Sequence, residues 1–251
     1  MIKVNGVEIG MERFPNGELV VRELESVPLV FELQYENDSD IFTLMAYALL
    51  HKKQSKTLHI VYFPYERADR KVSDKLPTIE AMIELINICK FDLVTVLDAH
   101  NSTPLERINN IVFQLPVEKW RQVIERHDIK NICFPDKGAQ IRYGKFFPTN
   151  AITATKIRCL HTGRILSLDI DGVVPSGESI LIIDDLCSKG GTFLLTAQKL
   201  KERGAGKIFL FTSHCETTAY SGELFNANTP IEKFYTLENP QLTENHILSF
   251  I

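Results

Sequence analysis

Ser179-Ile-Leu-Ile-Ile-Asp184-Asp185-Leu-Cys-Ser188-Lys189-Gly190-Gly191-Thr192 decides how this chain is read. The apolar run from Ile180 to Ile183 has the pattern of a buried parallel strand, and it ends in two carboxylates followed by a glycine-rich turn. From Phe193 to Arg203 the apolar residues Leu194, Leu195, Ala197 and Leu200 recur at helical spacing, and Gly204 supplies the stop. Lys207 to Thr212 reads as the next strand, which closes a βαβ unit of roughly 30 residues. Gly190 and Gly191 allow close approach of a backbone to a phosphate, while the first amides of the helix offer unpaired donors at the positive end of its dipole. Asp184 and Asp185, at the carboxyl end of the strand, suit hydrogen bonds from vicinal hydroxyls. A bare Gly-Gly-Thr would read as an ordinary βα turn behind an acidic strand end. The whole string favours a cradle for a phosphorylated sugar.

Outward from this unit, strands and helices alternate, the pattern of a parallel sheet covered by helices. A short hairpin around Asn5-Gly6 spans Ile2 to Ile9. Strands are expected at Leu29 to Tyr35, Thr57 to Phe63 and Asp92 to Leu97, with helices near Ile41 to His51 and Thr78 to Lys90. Further strands are expected near Ile111 to Leu115, Asn131 to Phe134, Ala151 to Ala154 and Ile165 to Asp169. No low-complexity segment, short-period repeat or flexible linker interrupts the pattern.

Composition narrows the class. The 251 residues are enough for one large or two small α/β domains with real cores. A net charge of −4 gives no basic excess that would point to nucleic acid. No apolar run is long enough for a membrane span, and Met1-Ile-Lys-Val does not open a signal peptide, so a cytoplasmic protein is expected. The five cysteines, Cys89, Cys133, Cys159, Cys187 and Cys215, are scattered and never in CxxC spacing, which suits reduced thiols better than disulfides or zinc.

The loop at Asp184 to Thr192 resembles the phosphoribosyl-pyrophosphate loop shared by type I phosphoribosyltransferases and by the phosphoribosyl-pyrophosphate synthetases, or ribose-phosphate pyrophosphokinases. Upstream motifs resemble the synthetases. Tyr62-Phe63-Pro64-Tyr65-Glu66-Arg67-Ala68-Asp69-Arg70-Lys71 is similar to a synthetase segment in which Pro-Tyr leads to Arg-x-Asp-Arg-Lys, and transferases have none like it. Arg13-Phe14-Pro15-Asn16-Gly17-Glu18, Asp98-Ala99-His100, Pro135-Asp136-Lys137-Gly138 and Lys156-Ile157-Arg158 resemble four more synthetase motifs, in the same order.

The resemblance implies an α/β fold of two similar doubly wound, parallel-sheet, type I phosphoribosyltransferase-like domains facing each other. The expected division is an ATP-side domain over 1–117 and a ribose-phosphate domain over 118–251. It also implies transfer of the terminal diphosphoryl group of ATP to the anomeric hydroxyl of a 5-phosphorylated ribose, with Mg2+ as cofactor. On that reading Phe14, Asn16, Glu18, Arg67, Asp69, Arg70 and His100 serve ATP, with Phe14, Asn16 and Glu18 receiving adenine from a neighbouring subunit. His100 and Asp136 hold the magnesium–ATP phosphates. Lys156 and Arg158, on a mobile loop in relatives, are the catalytic cations, and Asp184, Asp185, Ser188, Lys189, Gly190, Gly191 and Thr192 bind the ribose phosphate. A site shared between chains implies a homo-oligomer, a dimer or higher, with no nucleic-acid or membrane partner. A type I phosphoribosyltransferase and a non-catalytic regulatory homologue are the alternatives.

Plainer readings stand beside these. A lone histidine at a strand end is often structural, a charge run is usually a solvated loop, and Pro15-Asn16-Gly17 alone is a common turn. Departures from the family pattern bear on the substrate. Asn16 stands where Asp is usual and Ala68 where many members carry Gln. Ser188 and Lys189 replace the usual Asp and Thr, so the loop gains two positive units of charge. A 5-phosphate monoester is already served by backbone amides and Thr192, so the added cation suits an acceptor carrying more phosphate, for which ADP-ribose, as used by some phage-encoded relatives that rebuild NAD, is the candidate. A solvent-facing Lys189 with ribose 5-phosphate as acceptor is the other reading. A hairpin in place of the usual N-terminal helix, and a brief tail after His214, trim the regions that relatives use for control and assembly.

Overall fold

A computed structural model of the chain describes residues 1–25, 27–147, 151–158, 165–237, 239, 242–245 and 248–251. The chain divides into two compact units, Met1–Leu115 and Pro116–Ile251.

The first unit runs β1 (Ile2–Val4), β2 (Val7–Ile9), β3 (Leu29–Gln34), α1 (Asp38–Leu50), β4 (Lys56–Tyr62), α2 (Thr78–Cys89), β5 (Leu93–Leu97), α3 (Ser102–Leu105) and β6 (Ile111–Gln114). Its sheet has the order β2-β1-β3-β4-β5-β6, with β3 to β6 parallel and the β1–β2 hairpin antiparallel at one edge. The hairpin closes through Asn5 and Gly6, both at positive φ (50° and 80°), which is why the Asn-Gly pair marks it in the sequence. Asn37 caps α1 in a reciprocal capping box with Asp40, which also binds the amino terminus at 2.8 Å. Alternate residues of β3 (Leu29, Phe31, Leu33) are fully buried and pack with Leu44, Ala48, Leu58, Ile60, Met82 and Ile86 into one core. Lys56, 1% exposed, is the unusual member of this interior. Its Nζ donates to the carbonyls of Ala48 (2.8 Å) and Cys89 (2.9 Å), near the C-termini of α1 and α2, where a cation satisfies orphan acceptors and the helix dipole together.

The second unit runs α4 (Val117–Arg126), β7 (Asn131–Phe134), α5 (Lys137–Tyr143), β8 (Ile152–Arg158), β9 (Ile165–Asp171), β10 (Ile180–Cys187), α6 (Gly191–Glu202), β11 (Ile208–Cys215), β12 (Lys233–Thr236) and β13 (Leu248–Phe250). The sheet order is β13-β12-β11-β10-β7-β8-β9, parallel apart from the antiparallel β8–β9 pair. The chain builds outward from β7 in one direction and from β10 in the other, so the β7/β10 boundary is a topological switch point, where open α/β sheets bind ligands. On one face Ile180, Ile182, Ile208 and Leu210 pack with Phe193, Leu194, Ala197 and Leu200 of α6. On the other, Phe211 meets Trp120 of α4 at 6.4 Å and Phe209 stacks on His127 at 4.1 Å.

Several elements differ from expectation. β10 continues past Ile183 to Cys187, because Leu186 and Cys187 keep their pairing with His214 and Cys215 of β11. Both acids therefore sit in the strand, before its end, although they break the apolar run. The strand expected near Ala151 to Ala154 runs on to Arg158, so Lys156 and the backbone of Arg158 are extended and paired with β9 alone, while pairing with β7 stops at Thr153. Five helices and strands, α3, α4, α5, β12 and β13, lie where no element was expected, and with the last two more than a brief tail follows His214. The four described cysteines are free thiols, and Cys159 lies outside the described residues. Among the described residues no helix is long and apolar enough to cross a membrane.

Candidate active site

In the second unit the motifs meet around the ends of β7 and β10. Asp136 follows β7 and caps α5, accepting from the amide of Ala139 at 3.0 Å. Its other oxygen, Oδ2, accepts from Lys156 Nζ at 2.7 Å, which joins two motifs from adjacent strands. Burial works to raise the Asp136 carboxyl, but the Lys156 ammonium and the Ala139 amide outweigh it and hold the group below the usual carboxylate range. Asp184 stands near Asp136. Removal from water, then the charges of Asp185 and Asp136, push the Asp184 carboxyl well above its ordinary value, while Arg142 pulls the other way. Arg142, on α5, pairs with Asp185 at 2.9 Å. Arg142 carries no sequence signature that singles it out, and only the packing of α5 on β10 brings it to Asp185.

The loop from Ser188 to Gly191 leads directly into α6. Gly190 caps the helix at φ 77°, a conformation that favours glycine, and a Cβ there would lie 2.9 Å from the Leu224 side chain. A Cβ on Gly191 would meet nothing within 4 Å. Gly190 offers no side-chain cap to the helix, and helix N-termini favour anions. The 3-10 turn Thr217–Ser221 and its flank back the loop. Ser188 Oγ lies 3.2 Å from Thr218 Oγ1, and a Cβ on Gly222 would lie 2.2 Å from the Lys189 carbonyl. The Lys189 side chain is exposed and forms no ion pair among the described residues. The side chain of Arg158 is outside the described residues.

In the first unit the charged segment after β4 is tied to the segment after β5. Glu66, 1% exposed, accepts from the amide of His100 at 3.0 Å, and Asn101 Nδ2 donates to Asp69 at 2.9 Å. Arg67, Arg70 and His100 are exposed beside these ties. Asp69 therefore holds the neighbouring segment through Asn101, a positional role the sequence did not reveal. Tyr65, at φ 62°, donates to Asp38 of α1, as does Tyr35 at 2.8 Å. These two phenols hold the Asp38 carboxyl below its usual range. Asn16 serves its own turn, accepting from the Glu18 amide at 3.2 Å, while Phe14 is 55% exposed.

Magnesium ordinarily takes one or two carboxylates and completes its shell with phosphate oxygens and water, so the ionised, partly exposed Asp136 fits such a partner. Among the described residues no group of three or more His, Cys, Asp or Glu side chains is placed to hold a metal by itself.

Known proteins resolve what kind of molecule this is. No family model matches the chain. The ribose-phosphate pyrophosphokinase of Haemophilus influenzae is 30% identical over 224 residues, 80% of this chain and 69% of that protein. The chain belongs to the ribose-phosphate pyrophosphokinase family. The ribose-phosphate pyrophosphokinase of Pyrococcus abyssi is 28% identical over 229 residues, 84% of this chain and 77% of that one. In fold, the chain matches a crystal structure of phosphoribosylpyrophosphate synthetase from Mycobacterium smegmatis with a TM-score of 0.77, covering 98% of this chain and 87% of that one at 17% identity. As a member of a pyrophosphokinase family the chain is an enzyme, an ATP-dependent diphosphotransferase, which sets aside the transferase and regulatory alternatives.

Proposed function

We propose that this enzyme transfers the β,γ-diphosphoryl group of ATP to the anomeric 1-hydroxyl of a 5-phosphorylated ribose and releases AMP. The observation that carries the reading is the junction of Asp136, Lys156, Asp184 and the uncapped α6 N-terminus at a switch point, in a chain of this family.

On this reading the second unit is the ribose-phosphate side. Gly190, Gly191 and Thr192 cradle the 5-phosphate, and the acids of β10 serve the sugar hydroxyls. The first unit is the ATP side. Arg67 grips phosphate oxygens with its planar fork, His100 and Arg70 stand beside it, and Phe14, Asn16 and Glu18 receive adenine from a neighbouring chain, which makes the enzyme a homo-oligomer. Lys156 and Arg158 stabilise the charge that develops as the diphosphoryl group leaves AMP; Lys156 exchanges its bond to Asp136 for one to phosphate. Asp136 would hold Mg2+ on the second unit, and the ion would supply charge neutralisation for the phosphates when bound.

The acceptor is ADP-ribose in preference to ribose 5-phosphate. Lys189 is exposed and not ion-paired among the described residues, where a second phosphate on the 5-position would meet it. Purified protein incubated with ATP, Mg2+ and each acceptor in turn decides both points. AMP release with either sugar supports the transfer, and ADP release or no turnover overturns it. Ready turnover of ribose 5-phosphate alone removes ADP-ribose as the acceptor.

A further inference from the structure

The two adjacent acids of β10 do not have the same surroundings. Asp185 is 2% exposed and ion-paired at 2.9 Å to Arg142, itself mostly buried on α5. Arg142 Nη1 also reaches the hydroxyl of the following residue, Tyr143, at 3.0 Å, and Tyr143 packs edge-on against Trp120 at 5.2 Å. The guanidinium is thus fixed by packing on α4 and α5. Asp184 is the more open of the pair; it accepts the amide of Asp185 at 3.0 Å, its carboxyl also approaches that of Asp185, and it forms no ion pair with Arg142 among the described residues. Strand alternation explains the difference. Asp184 pairs with Thr212 and shares the face of Ile180, Ile182 and Leu210, which packs on α6, the helix that the glycine loop opens. Asp185 follows Leu181 and Ile183 on the face where Phe209 and Phe211 meet α4.

We infer that Arg142 is a positioning residue that clamps Asp185 against α5, so that Asp184 alone of the two acids receives the sugar hydroxyls. The inference rests on the proposed reading and divides labour within its acceptor site. Asp185 is a fixed anion that orients the strand end through Arg142, and Asp184 shares its face with the helix whose amides take the 5-phosphate. A buried carboxylate whose partner is a fixed guanidinium cannot turn toward a sugar without leaving that cation unpaired.

Steady-state kinetics of the full chain with ATP and whichever acceptor the wild type turns over test this, on Asp184→Asn, Asp185→Asn, Arg142→Met, Arg142→Lys and the double variant Arg142→Met/Asp185→Asn. Loss of Asp184 is expected to lower kcat/KM for the acceptor about 100-fold, and loss of either member of the ion pair to raise the acceptor KM about tenfold. The ATP KM stays within about twofold, Arg142→Lys recovers most of the loss, and the double variant is no worse than the worse single, as for residues acting as a unit. Emission from Trp120, the sole tryptophan, which touches Tyr143, checks that each variant keeps the α4–α5 packing. Should Arg142→Met fail that check, the ordering of Asp184→Asn against Asp185→Asn, together with Arg142→Lys, decides alone. Asp185→Asn as damaging as Asp184→Asn, or losses that multiply in the double variant, overturn the inference. Absence of AMP from the wild type with both acceptors is a different result and defeats the proposed reaction.

Discussion

Lys156 Nζ donates to Asp136 Oδ2 at 2.7 Å, across the pairing of β8 with β7. On the proposed reading the pair keeps a cation in a fixed place with a partner that a polyphosphate would displace. Replacing Lys156 by alanine is expected to lower kcat about 10²- to 10³-fold, the cost of one preorganised charge donor in the transition state, with smaller changes in either KM. Rapid-quench measurement of AMP formation separates this from a binding defect; an unchanged chemical step would leave Lys156 as a structural partner of Asp136.

The adjacent glycines of the loop are predicted to fail in different ways. Gly190→Ala places a Cβ 2.9 Å from Leu224 at φ 77°, so it should destabilise the fold by about 1–3 kcal/mol in urea unfolding. Gly191→Ala meets no atom of the chain within 4 Å and should fold normally, yet it adds a methyl group where a phosphate would come close. A raised acceptor KM with an unchanged unfolding midpoint is the expected result. Equal activity in Gly191→Ala and wild type would argue against phosphate at this turn.

Lys189→Thr restores the residue usual in the family and leaves the loop backbone, which Gly222 and Thr218 support, unchanged. An exposed cation facing one added phosphate is worth about 1 kcal/mol or less, so selectivity for ADP-ribose over ribose 5-phosphate should fall about fivefold. Competition assays at two salt concentrations would show it, with a smaller effect at high salt. No change in the ratio would mean that Lys189 faces solvent in the complex.

His127 couples acidification to stability. Burial, then the cations Arg126 and Lys207, lower its pKa below the ordinary 6.5, and it stacks on Phe209 at 4.1 Å and bonds Tyr235 at 2.7 Å. The unfolded chain therefore binds the proton more readily, so the stability contributed is present above about pH 6.5 and is lost as pH falls from there through the folded pKa. Thermal midpoints of wild type and His127→Gln measured from pH 7.5 to 5 should converge on acidification; parallel curves would place the group in solvent.

How much was legible can be judged from particular residues. The β10–loop–α6 unit was readable because its signals are local: an apolar run of strand length, helical spacing from Phe193, and glycines where the backbone turns sharply. The hairpin at Asn5-Gly6 was readable for the same reason. α4 escaped notice although Trp120 and Val123 form its buried stripe, because a short amphipathic helix on the surface looks like polar connecting chain. The extension of β10 to Cys187 was hidden by two carboxylates that interrupt its apolar pattern, and its cause lies in another strand, β11.

By itself the sequence determined the α/β alternation of the first unit, the β10–loop–α6 unit, the motif series from Arg13 to Thr192 and the chemistry that such residue types can support, since each depends on neighbours along the chain. Tertiary structure alone decided which charges are paired and which remain for a ligand. The bonds of Lys156 with Asp136, Arg142 with Asp185, Glu66 with the His100 amide and Asn101 with Asp69 join segments far apart in the chain. Their existence depends on strand register and on how α5 packs against the sheet, which follow from the burial of whole faces and leave no mark at the paired residues themselves.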